Sequence, residues 1–217
     1  MPRISKAPEE RRLEIVDTAE RLFREKGFAN CSVEMIIREI GVAKGTFYYY
    51  FKSKQEILGA IVDRTLAQIV EQAGQVAGDP SLDALTKMQM LLAGAQVGDV
   101  DTHDLAEMMH LPENRELHEL SNIQSVLRLS PILARIVEQG IQEGVFHTAH
   151  PLEAVQFLLT GAQFLLDGGL FEFSEDETRT RRIVAQDINE KALGARPGSF
   201  GFMNPDFIKG NSNDTSD

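Results

Sequence analysis

The sequence contains no tryptophan and a single cysteine, Cys31, in 217 residues. One thiol cannot close a disulfide within the chain, and this suits a reducing, intracellular setting such as the cytoplasm. The sequence also lacks a cysteine cluster of the zinc-binding kind, a glycine-rich phosphate loop and a nucleophile–base pattern. It therefore predicts neither an enzyme nor a bound cofactor.

Long apolar runs are also missing. Residues 1–12 are polar and charged, which excludes the apolar core of a signal peptide there. The longest uncharged stretch of the apolar C-terminal region, 154–166, has 13 residues and is too short to span a bilayer. Hydrophobic residues nevertheless make up 42% of the chain, enough for a packed core. No segment long enough for a strand alternates polar and apolar residues with period two. The sequence therefore favours a helical protein, and its short apolar runs favour one that does not span a membrane.

Charge is distributed unevenly along the chain. The net charge is −11, but residues 1–54 carry a net +3 and residues 55–217 a net −14. This split is expected if only the first 54 residues meet nucleic acid phosphate. A solvated acidic surface would give the same asymmetry, so the charge alone does not decide between the two.

Three short helices are predicted in the N-terminal 54 residues. Gly27 ends the first and Gly41 breaks the second, for which Ser32 is a suitable N-cap. A third helix follows over about 43–51, and two short helices joined by a tight glycine turn form a helix-turn-helix pattern. The inward positions expected on the first helix are Ile15, Val16, Ala19, Leu22 and Phe23.

Further helices are predicted along the remaining chain. Ser53 and Glu56 form a capping box for the next helix, and Ser81 caps another. Pro112 opens a helix that Pro131 either kinks or restarts with Ser130 as its cap. Helices over about 151–170 and 175–193 follow, and the residues from 196 read as a loose tail. The predicted fold is all-α, with a helix-turn-helix domain over 1–54, a helical ligand-binding and dimerisation domain over 55–195, and a flexible tail over 196–217.

The fourteen residues from Gly41 to Lys54, GVAKGTFYYYFKSK, closely resemble the recognition-helix signature of the TetR family of transcriptional regulators. The upstream helix with Gly27-Phe28 and the segment 136–146 are also similar to that family. Membership implies a homodimer that binds palindromic operator DNA, most commonly as a repressor, and releases it when a small molecule binds the C-terminal domain. Two departures are Ala43, where the family often has Ser or Thr, and Ile40, which replaces a smaller residue.

The start of the third helix suits the major groove, because small or hydrogen-bonding residues belong there. Helical spacing turns Phe47 and Phe51 inward and leaves two tyrosines facing the duplex. The resemblance implies phosphate contacts by Tyr48, Tyr49 and Lys54. The predicted DNA-binding residues are Ser32, Lys44, Gly45, Thr46, Tyr48, Tyr49, Lys52 and Lys54. The basic residues Arg3, Lys6, Arg11 and Arg12 form either a minor-groove arm or a frayed, solvated terminus.

The helix over 151–170 is apolar nearly all round and needs two packing partners. One is its own domain; the other is predicted to be the same helix of a second subunit, with the last helix completing a four-helix contact. Full burial within a monomer is the alternative. The predicted interface residues are Val155, Leu159, Ala162, Leu166, Val184 and Ile188.

A ligand pocket is expected within the helical bundle, where flexible apolar side chains mix with isolated polar groups. For each candidate, ordinary core packing is the alternative. The candidates are Met88, Met108, His110, Asn122, Phe157 and Phe164. His103, Glu107 and His110 share a helix face, but their spacing is not a recognised metal signature, so no metal site is predicted. Control by a protein partner or a metal ion instead of a small organic ligand is the competing hypothesis.

Overall fold

The computed structural model describes residues 7–96, 100–166 and 171–204 of the chain, and within these ranges it contains helices and connecting turns without strands. This confirms the all-α prediction. None of the helices in these ranges is long and apolar enough to cross a membrane. The helices are α1 (Pro8–Lys26), α2 (Val33–Ile40), α3 (Lys44–Tyr50), α4 (Lys54–Gly78), α5 (Ala84–Gln96), α6 (Val100–Met109), α7 (Arg115–Gln142), α8 (Pro151–Leu166) and α9 (Glu175–Leu193), with 3-10 turns at Pro112–Asn114 and Gly201–Met203.

The chain forms two compact units. The head unit contains residues up to 67 together with 100–121, and the body unit contains 68–99 and the residues from 122 onward. The long helices α4 and α7 therefore each contribute to both units. The functional boundaries predicted at residues 54 and 195 stay predictions.

The head unit has the core that the helical spacing predicts. The five expected inward residues of α1 are all at most 3% exposed. The ring of Phe28 returns onto the end of α1 and meets Phe23 edge to face, with centroids 4.9 Å apart. Cys31 is buried beside it, and this burial raises the pKa of its thiol.

The helix ends in the head unit also follow the sequence. Gly41 has φ +72°, in the left-handed region that glycine tolerates, and its N–H donates to Ile37 O. Ser32 Oγ accepts the Met35 N–H at 3.2 Å. At the start of α4, Ser53 Oγ accepts the Glu56 N–H as predicted, while the Glu56 carboxylate accepts the N–H of Lys52 at 2.6 Å.

One predicted helix start in the body unit is wrong, and one of the two alternatives at Pro131 is excluded. α5 begins at Ala84, and its cap is Asp83, whose carboxylate accepts the Thr86 N–H at 2.7 Å. Ser81 donates to the side chain of Asp79 instead. No restart occurs at Ser130, because α7 continues through Pro131 and the Ser130 hydroxyl donates back to Val126 O at 2.5 Å.

The body core includes the start of the segment predicted to be a loose tail. Phe200 is fully buried and Phe202 is 7% exposed, and the Phe200 ring lies 6.0 Å from that of Phe146. The carboxylate of Glu190 accepts the N–H groups of Gly198 and Phe200 at 2.9 and 3.0 Å. The tail prediction is therefore wrong for residues 196–204; residues 205–217 lie outside the described ranges, as do 167–170 at the predicted end of α8.

A buried lysine ties three elements of the body unit together. Lys87 of α5 is 3% exposed, and its ammonium donates to Ala77 O at the end of α4 and to Gln139 Oε1 of α7. The Gln139 amide donates in turn to Leu82 O and to Glu143. These bonds give the buried charge its partners, which its burial requires.

Candidate nucleic-acid interface

The recognition helix predicted from sequence is α3, and it is held by two aromatic anchors. Phe47 is fully buried and Phe51 is 2% exposed. The guanidinium of Arg12 lies 5.2 Å from the centroid of the Phe51 ring, so α1 also contacts the end of this helix. Because the anchors are one turn apart, the opposite side of α3 must face outward.

The first turn of α3 carries the three residues expected nearest the bases, Lys44, Gly45 and Thr46, and all three are exposed. A methyl group placed on the Gly45 Cα would meet no atom of the protein within 4 Å. Nothing in the fold therefore requires glycine at this position. The missing side chain instead leaves the backbone open to close approach from outside.

The three tyrosines that follow differ in exposure. Tyr49 is 75% exposed and packs edge to face against Tyr50, with centroids 5.0 Å apart. Tyr48 and Tyr50 are half-buried against the head core. Tyr49 thus presents most of its ring and its hydroxyl to the exterior, while Tyr48 offers a smaller part.

Lysines next to α3 have intramolecular partners in the free protein. Lys44 Nζ lies 3.8 Å from a Glu34 carboxylate oxygen, an exposed pair that solvent screens and that stabilises little. Lys52 Nζ donates to Tyr48 O at 2.5 Å, near the end of α3, where a cation complements the helix dipole. Both ammonium groups therefore lie next to α3.

Lys54 has a role that the sequence did not suggest. Its ammonium donates to Phe28 O at 2.8 Å and to Ala29 O at 3.4 Å, and it lies 4.3 Å from the Phe28 ring centroid. These bonds tie the first turn of α4 to the turn between α1 and α2. No local pattern could have revealed them, because the partners are 25 and 26 residues apart.

The remaining residues predicted to contact DNA lie outside α3. Ser32 is exposed at the start of α2, where its oxygen accepts the Met35 N–H. Arg11 of the suggested arm pairs with Glu14 at 2.5 Å. Arg3 and Lys6 lie outside the described residues.

The six pocket candidates are not brought together in one unit. Met108 and His110 belong to the head unit, where the His110 ring lies 5.1 Å from that of His118. Met88 is buried in the body core, at 3% exposure. In the body unit Asn122 is half-buried, whereas Phe157 and Phe164 are 82% and 55% exposed.

Two of the residues predicted for the subunit interface pack within the protomer, and the interface itself stays a prediction. Val155 is 3% exposed, and Leu159 packs against the same body core, so this side of α8 is used within the protomer. The outward apolar side of α8 carries Phe157 and Phe164 instead. Ala162, Val184 and Ile188 are exposed, the last two by 46% and 51%, and Leu166 is half-exposed.

Metal ligands are not clustered in the part of the chain that the structure describes, where no three His, Cys, Asp or Glu side chains could hold one ion. The side chain of His103 lies outside that part, so its suggested grouping with Glu107 and His110 stays a hypothesis.

Comparison with known proteins gives matches along most of the chain. Residues 15–61 match the family model of bacterial regulatory proteins of the tetR family, and residues 99–188 match a tetracycline repressor-like C-terminal domain. The Fatty acid metabolism regulator protein of Bacillus subtilis is 30% identical over 140 residues, covering 61% of this chain and 69% of that protein. An HTH-type transcriptional regulator of the same species, YerO, is 32% identical over 120 residues, which are 51% of this chain and only 40% of that longer protein.

Among solved structures, the complex of SmeT with triclosan shares the fold. It aligns with a TM-score of 0.62 and 23% identity, covering 87% of this chain and 93% of that one. SmeT is the repressor of a multidrug efflux pump of Stenotrophomonas maltophilia.

The three short N-terminal helices α1 to α3, with α3 exposed, followed by further helices, define a helix-turn-helix DNA-binding regulator. With matches in both its N-terminal and C-terminal parts, the chain belongs to the TetR family of transcriptional regulators.

Proposed function

We propose that this regulator is a cytoplasmic repressor that binds palindromic operator DNA as a homodimer and is released by a small organic ligand. The observation that carries the DNA-binding part is the first turn of α3, where Lys44, Gly45 and Thr46 are exposed together. The match covers only 40% of the longer relative YerO, so the partners of the whole protein are part of this proposal.

Gly45 supports the insertion of α3 into the major groove. Glycine within a helix lowers stability by about 0.5–1 kcal/mol relative to alanine. Packing within the protein does not require glycine at this position, because a Cβ at Gly45 would meet only open space. A partner that approaches the backbone closely supplies the reason, and a DNA base edge is such a partner.

Lys44 and Thr46 complement this close approach. An ammonium reaches either a phosphate or a guanine edge, and a threonine offers a hydroxyl together with a methyl that suits the thymine methyl. Tyr49, with most of its ring exposed, donates its hydroxyl to the phosphate backbone. Tyr48 and Lys52 lie beside it and extend the contact along the strand.

The homodimer rests on α8 and α9, which pack against each other in the body unit. Phe157 and Phe164 are seven residues apart, on one side of α8, and are exposed in the protomer. On α9, Val184 and Ile188 are exposed one turn apart. Apolar faces of this kind on two neighbouring helices pair with their own copies across a twofold axis in a four-helix contact.

Release by a small molecule is supported by what the relatives bind or control. One relative is named a regulator of fatty acid metabolism, and the SmeT structure holds triclosan. The first name gives the metabolism that is regulated, and the second gives an organic molecule in complex with the protein. In this chain the body unit is the expected location, with Met88 and Asn122 as the candidates that belong to its interior and its half-buried surface.

The proposed switch uses α4. This helix begins four residues after α3 ends and continues without a break from the head unit into the body unit. A ligand that prefers a tilted α4 changes the spacing of the two recognition helices, which must match successive major grooves about 34–36 Å apart. By linkage, operator DNA then weakens ligand binding by the same factor.

Gly45→Ala tests the DNA-binding proposal, with Gly74→Ala of α4 as a matched control, because a Cβ at either glycine meets only open space. Footprinting on DNA upstream of the protein's own gene locates the operator. We expect Gly45→Ala to bind that operator about tenfold more weakly, a loss of about 1.4 kcal/mol, without loss of thermal stability. Gly74→Ala should be up to about 1 kcal/mol more stable and bind normally. Wild-type operator affinity in Gly45→Ala would contradict the placement of α3 in the groove.

A further inference from the structure

Glu34 places a carboxylate at the surface that is proposed to enter the DNA groove. It lies in the first turn of α2, and its side chain is mostly exposed. One of its carboxylate oxygens is 3.8 Å from Nζ of Lys44, which is equally exposed in the first turn of α3. Wherever the Lys44 ammonium contacts DNA, the Glu34 carboxylate therefore lies beside that contact.

The ammonium of Lys44 has a second neighbour, the ring of Tyr48, whose centroid is 5.8 Å from Nζ. A carboxylate and a ring face both attract a cation. Both neighbours favour a position of the ammonium beside the first turn of α3 rather than one further out in solvent. Because Lys44 and Glu34 together carry no net charge, the pair adds little to the attraction of α3 for phosphates.

Stability of the fold does not explain the position of Glu34. An exposed ion pair stabilises little, and an acidic residue in the first turn of a helix complements the helix dipole only weakly. Near the other end of α2, Glu39 is engaged more closely, at 2.6 Å from Arg21 of α1. A carboxylate beside a surface that meets phosphates also weakens binding to every DNA sequence. A repulsive group of this kind is a means of choosing between partners.

The major groove offers a carboxylate few groups from which it can accept a hydrogen bond. Its donors are the amino groups at cytosine N4 and adenine N6, whereas guanine and thymine present acceptors. In a G·C pair the guanine acceptors lie beside the cytosine amino group, so an adjacent ammonium and carboxylate complement both bases at once. In an A·T pair the thymine O4 lies beside the adenine amino group and repels a carboxylate that approaches it.

We propose that Lys44 and Glu34 together read one G·C base pair in each half of the operator. Lys44 Nζ donates to guanine O6 or N7, and the Glu34 carboxylate accepts from N4 of the paired cytosine. This inference rests on the proposed operator binding and deepens it, because it assigns Lys44 to a base and makes Glu34 a specificity-determining residue.

The test measures base preference by competition binding. The operator competes with versions of itself in which one G·C pair of each half-site is replaced by A·T, one position at a time. For wild type, the replacement at the pair that Lys44 and Glu34 read should weaken binding about tenfold. In Glu34→Ala this penalty should fall below about threefold, while the affinity for unrelated DNA rises about twofold because a repulsive charge is gone.

Glu39→Ala is the matched control, because it also removes an exposed carboxylate of α2 that is paired with a cation. It should keep every penalty of the wild type. Lys44→Ala/Glu34→Ala should lose no more preference at the diagnostic position than Lys44→Ala alone, since the two residues read one base pair as a unit. Glu34→Gln should shift the preference there toward A·T, because a glutamine amide pairs with adenine N6 and N7.

The outcomes separate this inference from the proposed function. Wild-type penalties at every position in Glu34→Ala would overturn the inference and leave operator binding intact. A wild-type protein that binds all sequences equally would overturn the proposed function, and the inference with it. If Glu34→Ala does not fold, Glu34→Gln keeps the size of the side chain, and an unchanged preference in that variant would count equally against the reading of a G·C pair.

Discussion

The head and body units differ in the side chains that they bury and in those that they expose. The head buries a core rich in phenylalanine and leaves a lysine, a threonine and a tyrosine exposed on α3. The body buries the charged side chains of Lys87 and Glu190 and leaves large apolar residues exposed on α8 and α9. An exposed polar surface suits contact with the phosphates of DNA, whereas an exposed apolar surface suits contact with another protein.

The buried charges of the body unit help to fix how its segments pack. Each buried charge in the body hydrogen-bonds a separate segment: Lys87 donates to Ala77 O at the end of α4, and Glu190 accepts from the N–H groups of Gly198 and Phe200. Such bonds select one arrangement of the segments, because any other arrangement leaves a buried group unpaired.

The largest expected effect comes from placing a charge on the exposed apolar face of the body. Phe157→Arg should convert the proposed dimer to monomers and lower operator affinity at least about 100-fold, because each monomer reaches only one half-site. Light scattering and a gel-shift titration measure the two effects. Leu152→Arg, at an exposed apolar position about 140° around α8, is the control and should stay dimeric. A dimeric Phe157→Arg would move the interface to another surface.

A smaller effect should follow from removing the Glu190 carboxylate. Glu190→Ala leaves the N–H groups of Gly198 and Phe200 without their acceptor and should lower the free energy of unfolding by about 2 kcal/mol. Asp187→Ala, which breaks only an exposed pair with Lys191, should cost less than about 0.5 kcal/mol. Chemical denaturation measures both. Equal losses would show that the C-terminal segment does not depend on this carboxylate.

The same residue predicts a pH dependence. Burial raises the pKa of Glu190, but hydrogen bonds from Phe200, Gln186 and Gly198 outweigh it, and the net pKa lies below the usual value. The carboxylate therefore stabilises the fold above its unfolded-state pKa, and this contribution is lost as the pH falls through the lower folded-state value. The stability difference between wild type and Glu190→Ala should accordingly shrink on acidification below about pH 4.

The smallest effect concerns the head and distinguishes two roles of Lys54. If Lys54 acts by holding the turn between α1 and α2, Lys54→Met should lower operator affinity several-fold and leave the salt dependence of binding unchanged. Lys52→Met, which removes an exposed ammonium near α3, should flatten the salt slope by about 1. A flatter slope in Lys54→Met would assign Lys54 to phosphate, as the family resemblance implies.

Sequence reasoning succeeded where the determining interactions are local. The inward face of α1, the left-handed turn at Gly41 and the cap at Ser32 each depend on residues within one or two turns, so their patterns are visible in the sequence. The inward Phe47 and Phe51 follow from the same spacing. The residues proposed to contact DNA thus lie on a surface whose shape could be predicted, although their contacts themselves stay predictions.

The misses involve distant partners or a choice between two similar faces. Lys87 and Gln139 are 52 residues apart, and Lys54 and Phe28 are 26 apart. No local pattern encodes such pairs. On α8 both sides are apolar, so periodicity could not decide that Val155 faces the core and Phe157 the exterior. The burial of Phe200 was missed because the glycines and polar residues around it are typical of loops.

That last segment has a genetic consequence. A stop codon at position 197 would delete no residue of the nine helices in the described ranges, yet it would remove the buried Phe200 ring and the two N–H donors of Glu190. Late truncating mutations should therefore behave as loss-of-function alleles caused by misfolding, in a region where alleles are ordinarily tolerated. A reporter domain that replaces the chain from a point before residue 204 would be expected to show the same phenotype.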